Sequence, residues 1–157
     1  MKNKRWILYL VLILTLGFIW GNSCFSQADS SEQSSGVLEL LRKVFTFFGG
    51  ESSALFLFIE KYIRKIAHFS EYFLLGGETV FLFSPGGFRL SLQRFWNALS
   101  FSVVTAVIDE SIQILSGRGP AVLDVLIDSS GALCGILMVG LIFFFVTRKK
   151  EKPVLKI

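Results

Sequence analysis

Arg64, His68 and Glu71 stand four and three residues apart, with Leu75 four further on, so on a helix the three polar side chains share one stripe. Farther along, Asp109 and Gln113 are one turn apart with Glu110 beside them, and Asp124, Asp128, Gly131 and Gly135 follow at spacings of four, three and four. An acid-rich set with a single imidazole can bind a cationic group, pass protons, or act as a general acid and base, with His68, Glu71, Asp109, Glu110 and Asp128 as the candidates. A plainer role is open to the same residues: Arg64, Lys65 and Arg118 can neutralise the acids and lock helix ends together. The donors also include nitrogen and oxygen ligands, but one His and no cysteine pair make a poor metal motif, so no metal or other cofactor is expected. Ser70, Ser111 and Ser116 lie near His68 or Asp109 in sequence without a nucleophile motif around them.

The elements that must position these residues are apolar runs. In a chain of 157 residues, 52% are hydrophobic and 17 are Phe, a composition suited to lipid rather than to a small soluble core. The expected fold is therefore an all-α membrane protein, a four-helix transmembrane bundle with an outer interfacial amphipathic helix. Residues 1–21 supply the first span, whose apolar run Trp6 to Trp20 follows Lys2, Lys4 and Arg5. It reads as a retained span rather than a cleaved leader, since Gly21 stands where a lipoprotein signal would carry Leu.

Residues 22–36 are Ser, Gln, acidic and small residues that cannot bury a core, and read as an exposed loop. Val37 to Phe48 alternates Val37, Leu38, Leu40, Leu41, Val44, Phe45 and Phe48 with Glu39, Arg42 and Lys43, an amphipathic stretch too short and charged to cross a bilayer and suited to its outer interface. That stretch and three further spans form a core over 37–147. Ser52 and Ser53 are possible caps for a helix starting near Ala54, which enters the membrane around Lys65 and ends at Phe83 before Ser84-Pro85-Gly86-Gly87. The third span is about Phe95 to Leu115 and the fourth about Val122 to Val146, followed by a basic tail over 148–157.

This order places both termini in the cytoplasm and the polar stripes near the outer face. The cytoplasmic pieces then hold ten Lys and Arg against one acid, and the outer pieces six against ten acids, the bias expected of a multi-pass protein. Gly131 and Gly135 form a small-residue face on which another helix can lie closely, so Asp124 and Asp128 above it should point into the bundle. Phe69 and Tyr72 flank the stripe and read as interface anchors at the rim of the pocket. Glu78, seven residues below Glu71 on the same face, has no evident partner. Helix one and the amphipathic stretch read as supports. Cys24 and Cys134 fall at different depths and are not expected to pair. Nucleic acid is not an expected partner.

The blocks Arg64-Lys65-Ile-Ala-His68-Phe-Ser-Glu71-Tyr72-Phe, Ile-Asp109-Glu110-Ser-Ile-Gln113, Gly117-Arg118 and Asp124-Val-Leu-Ile-Asp128-Ser-Ser-Gly131 resemble, in order and separation, those of the VanZ-like family. The resemblance runs over nearly the whole chain; Ser129-Ser130 departs slightly from the expected residues before Gly131. It implies a small protein of the bacterial cytoplasmic membrane, in a family whose namesake is associated with resistance to teicoplanin-type glycopeptides, and it assigns no catalytic roles.

The expected function is thus a membrane factor, leaning non-enzymatic, whose outward pocket takes a membrane lipid head group, a lipid-linked cell-wall precursor or an acylated glycopeptide. The pocket would comprise Arg64, Lys65, His68, Glu71, Tyr72, Asp109, Glu110, Gln113, Arg118, Asp124 and Asp128. The alternative is a membrane-embedded acid/base enzyme acting on a lipid-linked or other cell-envelope substrate, with His68 and Glu71 or Asp109 exchanging protons. Glu71 and Glu78 on one stripe also suggest proton-coupled transport, which four spans without an inverted repeat do not favour. Homo-oligomerisation is left open.

Overall fold

The structure is a computed structural model that describes residues 5–48, 50, 53–84, 91–117 and 122–150. Among the expectations above, those on Lys2, Lys4, Ser52, Pro85 to Gly87, Arg118 and the tail from Glu151 fall outside the described residues. Five α-helices and no strands make up the described chain: α1 (Arg5–Ser23), α2 (Gln27–Phe47), α3 (Ala54–Phe83), α4 (Leu92–Leu115) and α5 (Val122–Lys150).

Helices α1, α4 and α5, the last over Val122–Arg148, are long and apolar enough to cross a membrane. Their outward faces carry Ile13, Leu14, Phe18, Val104, Val107, Leu141 and Phe145 in the open, a continuous apolar surface that suits lipid and not water. α3, at 30 residues, is the longest helix and carries the charged stripe.

The serine-rich segment expected as a loop is instead helical from Gln27 onward, and it runs without a break into the amphipathic stretch to form α2. The reason is local. Ser26 accepts from the backbone N–H of Asp29 while the Asp29 carboxylate accepts from the N–H of Ser26, a reciprocal cap that satisfies two otherwise orphaned donors. Within the helix Ser34 and Ser35 donate to the carbonyls of Ser30 and Glu32, so their hydroxyls do not compete with it. The segment stays on the surface, as its composition requires, and the second half of α2 leans on the start of α3 through Arg42–Glu60 at 2.9 Å and the Phe45–Phe56 ring pair.

α3 touches every other helix, and most extensively α5. A Cβ built on Gly131 would stand 2.3 Å from the Phe69 carbonyl oxygen, one on Gly135 2.0 Å from that of Phe73, and one on Gly76 2.2 Å from that of Ala132. The two backbones therefore meet directly, in parallel, with steps of four residues on each side (69 with 131, 73 with 135). This is the close approach expected of Gly131 and Gly135, and α3 is the helix that makes it. α1 runs antiparallel to α3, with Arg5 donating to the Leu82 carbonyl, Thr15 to Glu78 and Asn22 to Glu71.

The core lies in two layers between these helices. Ile19, Tyr72, Leu75, Ala106 and Ala132 form one; Val80, Ala98, Ile136, Val139 and Phe143 form the other, toward the opposite end. The first layer is the floor under the polar stripes. Tyr72, expected as an interface anchor, is 0% exposed within it, because it lies one turn below His68 on the face that α1, α4 and α5 enclose.

Gly135→Ala places a methyl group into the Phe73 backbone and should lower stability by about 1–3 kcal/mol or more, since a backbone atom cannot move aside as a side chain can. Gly17→Ala, with nothing within 4 Å of the added Cβ, should leave stability unchanged or raised by up to about 1 kcal/mol. Thermal unfolding of both variants in detergent micelles checks the pair, and equal behaviour would contradict the backbone contact.

Candidate functional site

The parallel crossing of α3 on α5 sets His68 beside Asp128, and the antiparallel α4 brings Asp109 to the same point. His68 Nδ1 is 3.7 Å from Asp128 Oδ1 and 3.9 Å from Asp109 Oδ2, and one donor atom from each of the three residues fits within a 4.8 Å spread. Asp109 is 0% and Asp128 1% exposed. These separations exceed hydrogen-bond length, so the imidazole faces two carboxyl groups without bonding to either. His68 Nδ1, Asp128 Oδ1 and the buried Tyr72 hydroxyl have no hydrogen-bond partner among the described residues. Leaving such atoms unsatisfied costs about 1–3 kcal/mol each. Each such group calls for an explanation, and here the unpartnered atoms of His68 and Asp128 face each other.

Asp109 is held more firmly. Ser23 Oγ, at the end of α1, donates to its Oδ1 at 2.5 Å, and Gln113 Nε2, one turn along α4, donates to its Oδ2 at 3.0 Å. Both oxygens accept, which orients the group and fixes which edge it turns toward His68. Ser116 donates back to the Ser23 carbonyl at 3.0 Å and ties the ends of α1 and α4 together.

Glu71 faces a second space on the α1 side. Asn22 Nδ2 donates to its Oε1 at 3.1 Å, and both residues line a cavity of about 390 Å³ between α1, α2 and α3. Its polar wall includes Asn22, Arg64, His68 and Glu71 together with Ser30, Gln33 and Ser34 of α2, and its apolar wall includes Phe18 and Val37. Arg64 donates to Ser31 of α2. His68 belongs to both places: it lines the cavity and faces the two buried acids.

The stripes expected to converge do so for His68, Asp109, Asp128, Gln113 and Tyr72, with Glu71 around the corner in the cavity. Glu110 is buried on α4, Asp124 is half-buried one turn before Asp128, and Lys65 is exposed. Arg118 lies outside the described residues. Glu78, for which the sequence offered no partner, accepts from Thr15 Oγ1 of α1 at 2.8 Å. Helix one is thus more than a support. Thr15, Asn22 and Ser23 each donate to an acid on α3 or α4, and all three escaped the sequence reading. The available signal was the spacing of Thr15, Ile19 and Ser23, which recurs every four residues on one face of an otherwise apolar helix.

The arrangement can exchange protons between an imidazole and two carboxyl groups, or hold a cation among them. Among the described residues Ser23 donates to Asp109 rather than to His68, and Ser70 and Ser111 donate to carbonyls of their own helices, so none of these hydroxyls is paired with the imidazole.

The sequence profile of the VanZ/LLP1 family matches residues 6–145, from the start of α1 almost to the end of α5. No curated protein and no solved structure matches the chain.

Ser23→Ala removes the donor to Asp109 Oδ1 and should cost about 1–2 kcal/mol, the upper part of the range for hydrogen bonds between membrane helices because the acceptor is a carboxyl group. A double-mutant cycle with Asp109→Asn, read by unfolding in micelles, should give a coupling of about 1 kcal/mol. Additive effects would mean that Ser23 does not position Asp109.

Proposed function

The chain belongs to the VanZ/LLP1 family, and on that premise we propose that this membrane protein presents an outward pocket to an amphiphile at the outer leaflet. The ligand class is a lipid-linked cell-wall precursor or an acylated glycopeptide of the teicoplanin type. The observation that carries the proposal is the cavity: at about 390 Å³ it is within the range of small-ligand sites, and it sets apolar Phe18, Val37, Ile63 and Ala67 beside charged Arg64, His68 and Glu71. A wall so divided suits the junction between an acyl chain and a polar head.

In the proposed topology α1, α3 from about Lys65, α4 and α5 cross the bacterial cytoplasmic membrane, and both termini are cytoplasmic. α2 and the first turns of α3 then rest in the outer interface. The excess of Lys and Arg on the other side supports this direction. Cys24, free and exposed at the end of α1, reports on it. In a Cys134→Ser background, a membrane-impermeant maleimide should label Cys24 in intact cells. Labelling only after permeabilisation would put the cavity on the cytoplasmic side and end the proposal.

A second reading, acid/base catalysis on a lipid-linked substrate, is favoured by the position of His68 between the cavity and two buried acids. Deletion of the gene should lower resistance to teicoplanin and leave vancomycin unaffected, and the wild-type chain should restore it. His68→Gln, present in the membrane at wild-type level, should restore part of the resistance if the pocket binds and none if His68 is the catalytic base. An unchanged teicoplanin response on deletion would remove the acylated drug as the ligand.

A further inference from the structure

His68, Asp109 and Asp128 come from three different helices, and no sequence spacing connects them, yet one donor atom from each turns into the same few ångströms. Two features indicate what belongs there. The first is that Asp128, 1% exposed, directs an oxygen without a hydrogen-bond partner toward His68 Nδ1, which likewise has none among the described residues. His68 Nδ1 stands 3.7 and 3.9 Å from the two acids, beyond hydrogen-bond distance of both and near enough for either to pair with a protonated imidazole. The second is the spacing itself. Nitrogen and oxygen donors around a tetrahedral divalent ion, each at its usual bond length, stand about 3.3–3.6 Å apart. The two separations from His68 Nδ1, 3.7 and 3.9 Å, lie within a few tenths of an ångström of that geometry, and the three donors as a set fall within 4.8 Å, so a bound ion would draw the two carboxylates closer together.

We propose that His68 Nδ1, Asp109 Oδ2 and Asp128 Oδ1 form a site for one divalent transition-metal ion, with an open coordination position toward the cavity that His68 also lines. Charge is compatible with it: a carboxyl group ligates as the carboxylate, so binding a divalent ion would displace any protons on Asp109 and Asp128 and offset the charge they then carry. The supporting shell is already in place. Asp109 is held by Ser23 on one oxygen and by Gln113 on the other, as ligating carboxylates are, and Tyr72 lies buried one turn below His68 with its hydroxyl uncommitted among the described residues. The imidazole selects against magnesium and calcium, and one His with two carboxylates suits zinc, manganese or iron(II). With three protein donors the site has the composition of a catalytic rather than a closed structural centre. The proposal stands on the three helices and is independent of what the cavity takes.

The test uses the full chain, with Cys24 and Cys134 changed to Ser so that thiols do not compete, purified in detergent and stripped with EDTA. Titration with Zn²⁺ by calorimetry should show one equivalent per chain and a raised thermal midpoint. Asp128→Asn and His68→Gln should each weaken binding by about a hundredfold or more and abolish the shift of the midpoint. Glu60→Gln, an exposed acid paired with Arg42, should bind as the parent does. Less than a stoichiometric equivalent in the parent, or equal affinity in Asp128→Asn, overturns the proposal. Should a variant fail to elute as folded protein, the parent decides through Co²⁺: one equivalent with ligand-field bands of imidazole and carboxylate donors sustains the site, and the spectrum of hydrated Co²⁺ alone overturns it.

Discussion

The backbone contact between α3 and α5 is the constraint from which the rest of the structure follows. α5 is apolar enough to cross a membrane, and lipid tails are as apolar as its side chains, so packing α3 on it gains little by merely burying hydrocarbon; the gain comes from approaching closely enough for dispersion and weak Cα–H···O contacts between backbones. Gly76, Gly131 and Gly135 permit that approach, and any side chain at these positions would overlap a carbonyl group. Because the contact repeats every four residues on both helices, it fixes their rotation and their relative height. His68 on α3 and Asp128 on α5 are then placed opposite each other as a consequence of glycine positions lying below them.

Against that pair the remaining helices act as suppliers of polar partners. α4 contributes Asp109 and orients it with Gln113 from its own next turn, while α1 contributes Thr15, Asn22 and Ser23, one donor for each of three acids. In a hydrocarbon environment an acid without a donor is expensive, which gives each of these small polar residues a structural reason to exist. At the junction of His68 and Asp128 the same logic is not followed through, and it is only half followed at Glu78, whose second oxygen is buried with no hydrogen-bond partner among the described residues. What sets His68 and Asp128 apart is that their unpartnered atoms face each other across the helix junction, beside an Asp109 that is held on both oxygens.

The cavity is formed where α2 folds back along the start of α3. Its serines and glutamine face Asn22 and Glu71, and its apolar half supplies Val37. α2 owes its existence to a short cap, Ser26 with Asp29, and to the contact of its second half with α3; once those hold, the serine-rich turns between them need only their own backbone hydrogen bonds. The same low-hydrophobicity segment that cannot form a core can still wall a pocket.

Much of this was determined by the sequence alone. Apolar runs and caps gave the bounds of several helices, with α3 beginning at Ala54 and ending at Phe83 and α4 ending at Leu115; of the four spans expected, α1, α4 and α5 are long and apolar enough to cross a membrane, whereas the charged stripe keeps α3 from that set. Helical spacing gave the stripes on α3, α4 and α5, and the pair Gly131 and Gly135 gave the face on which another helix would lie. The tertiary structure alone decided which helix lies there, which acids are satisfied and which are not, and that α1 takes part. Those are distances between residues 41 or 60 positions apart, such as His68 to Asp109 and to Asp128, and they depend on interhelical rotation and height. Periodicity fixes the face of one helix; only the contact between two backbones fixes what that face meets.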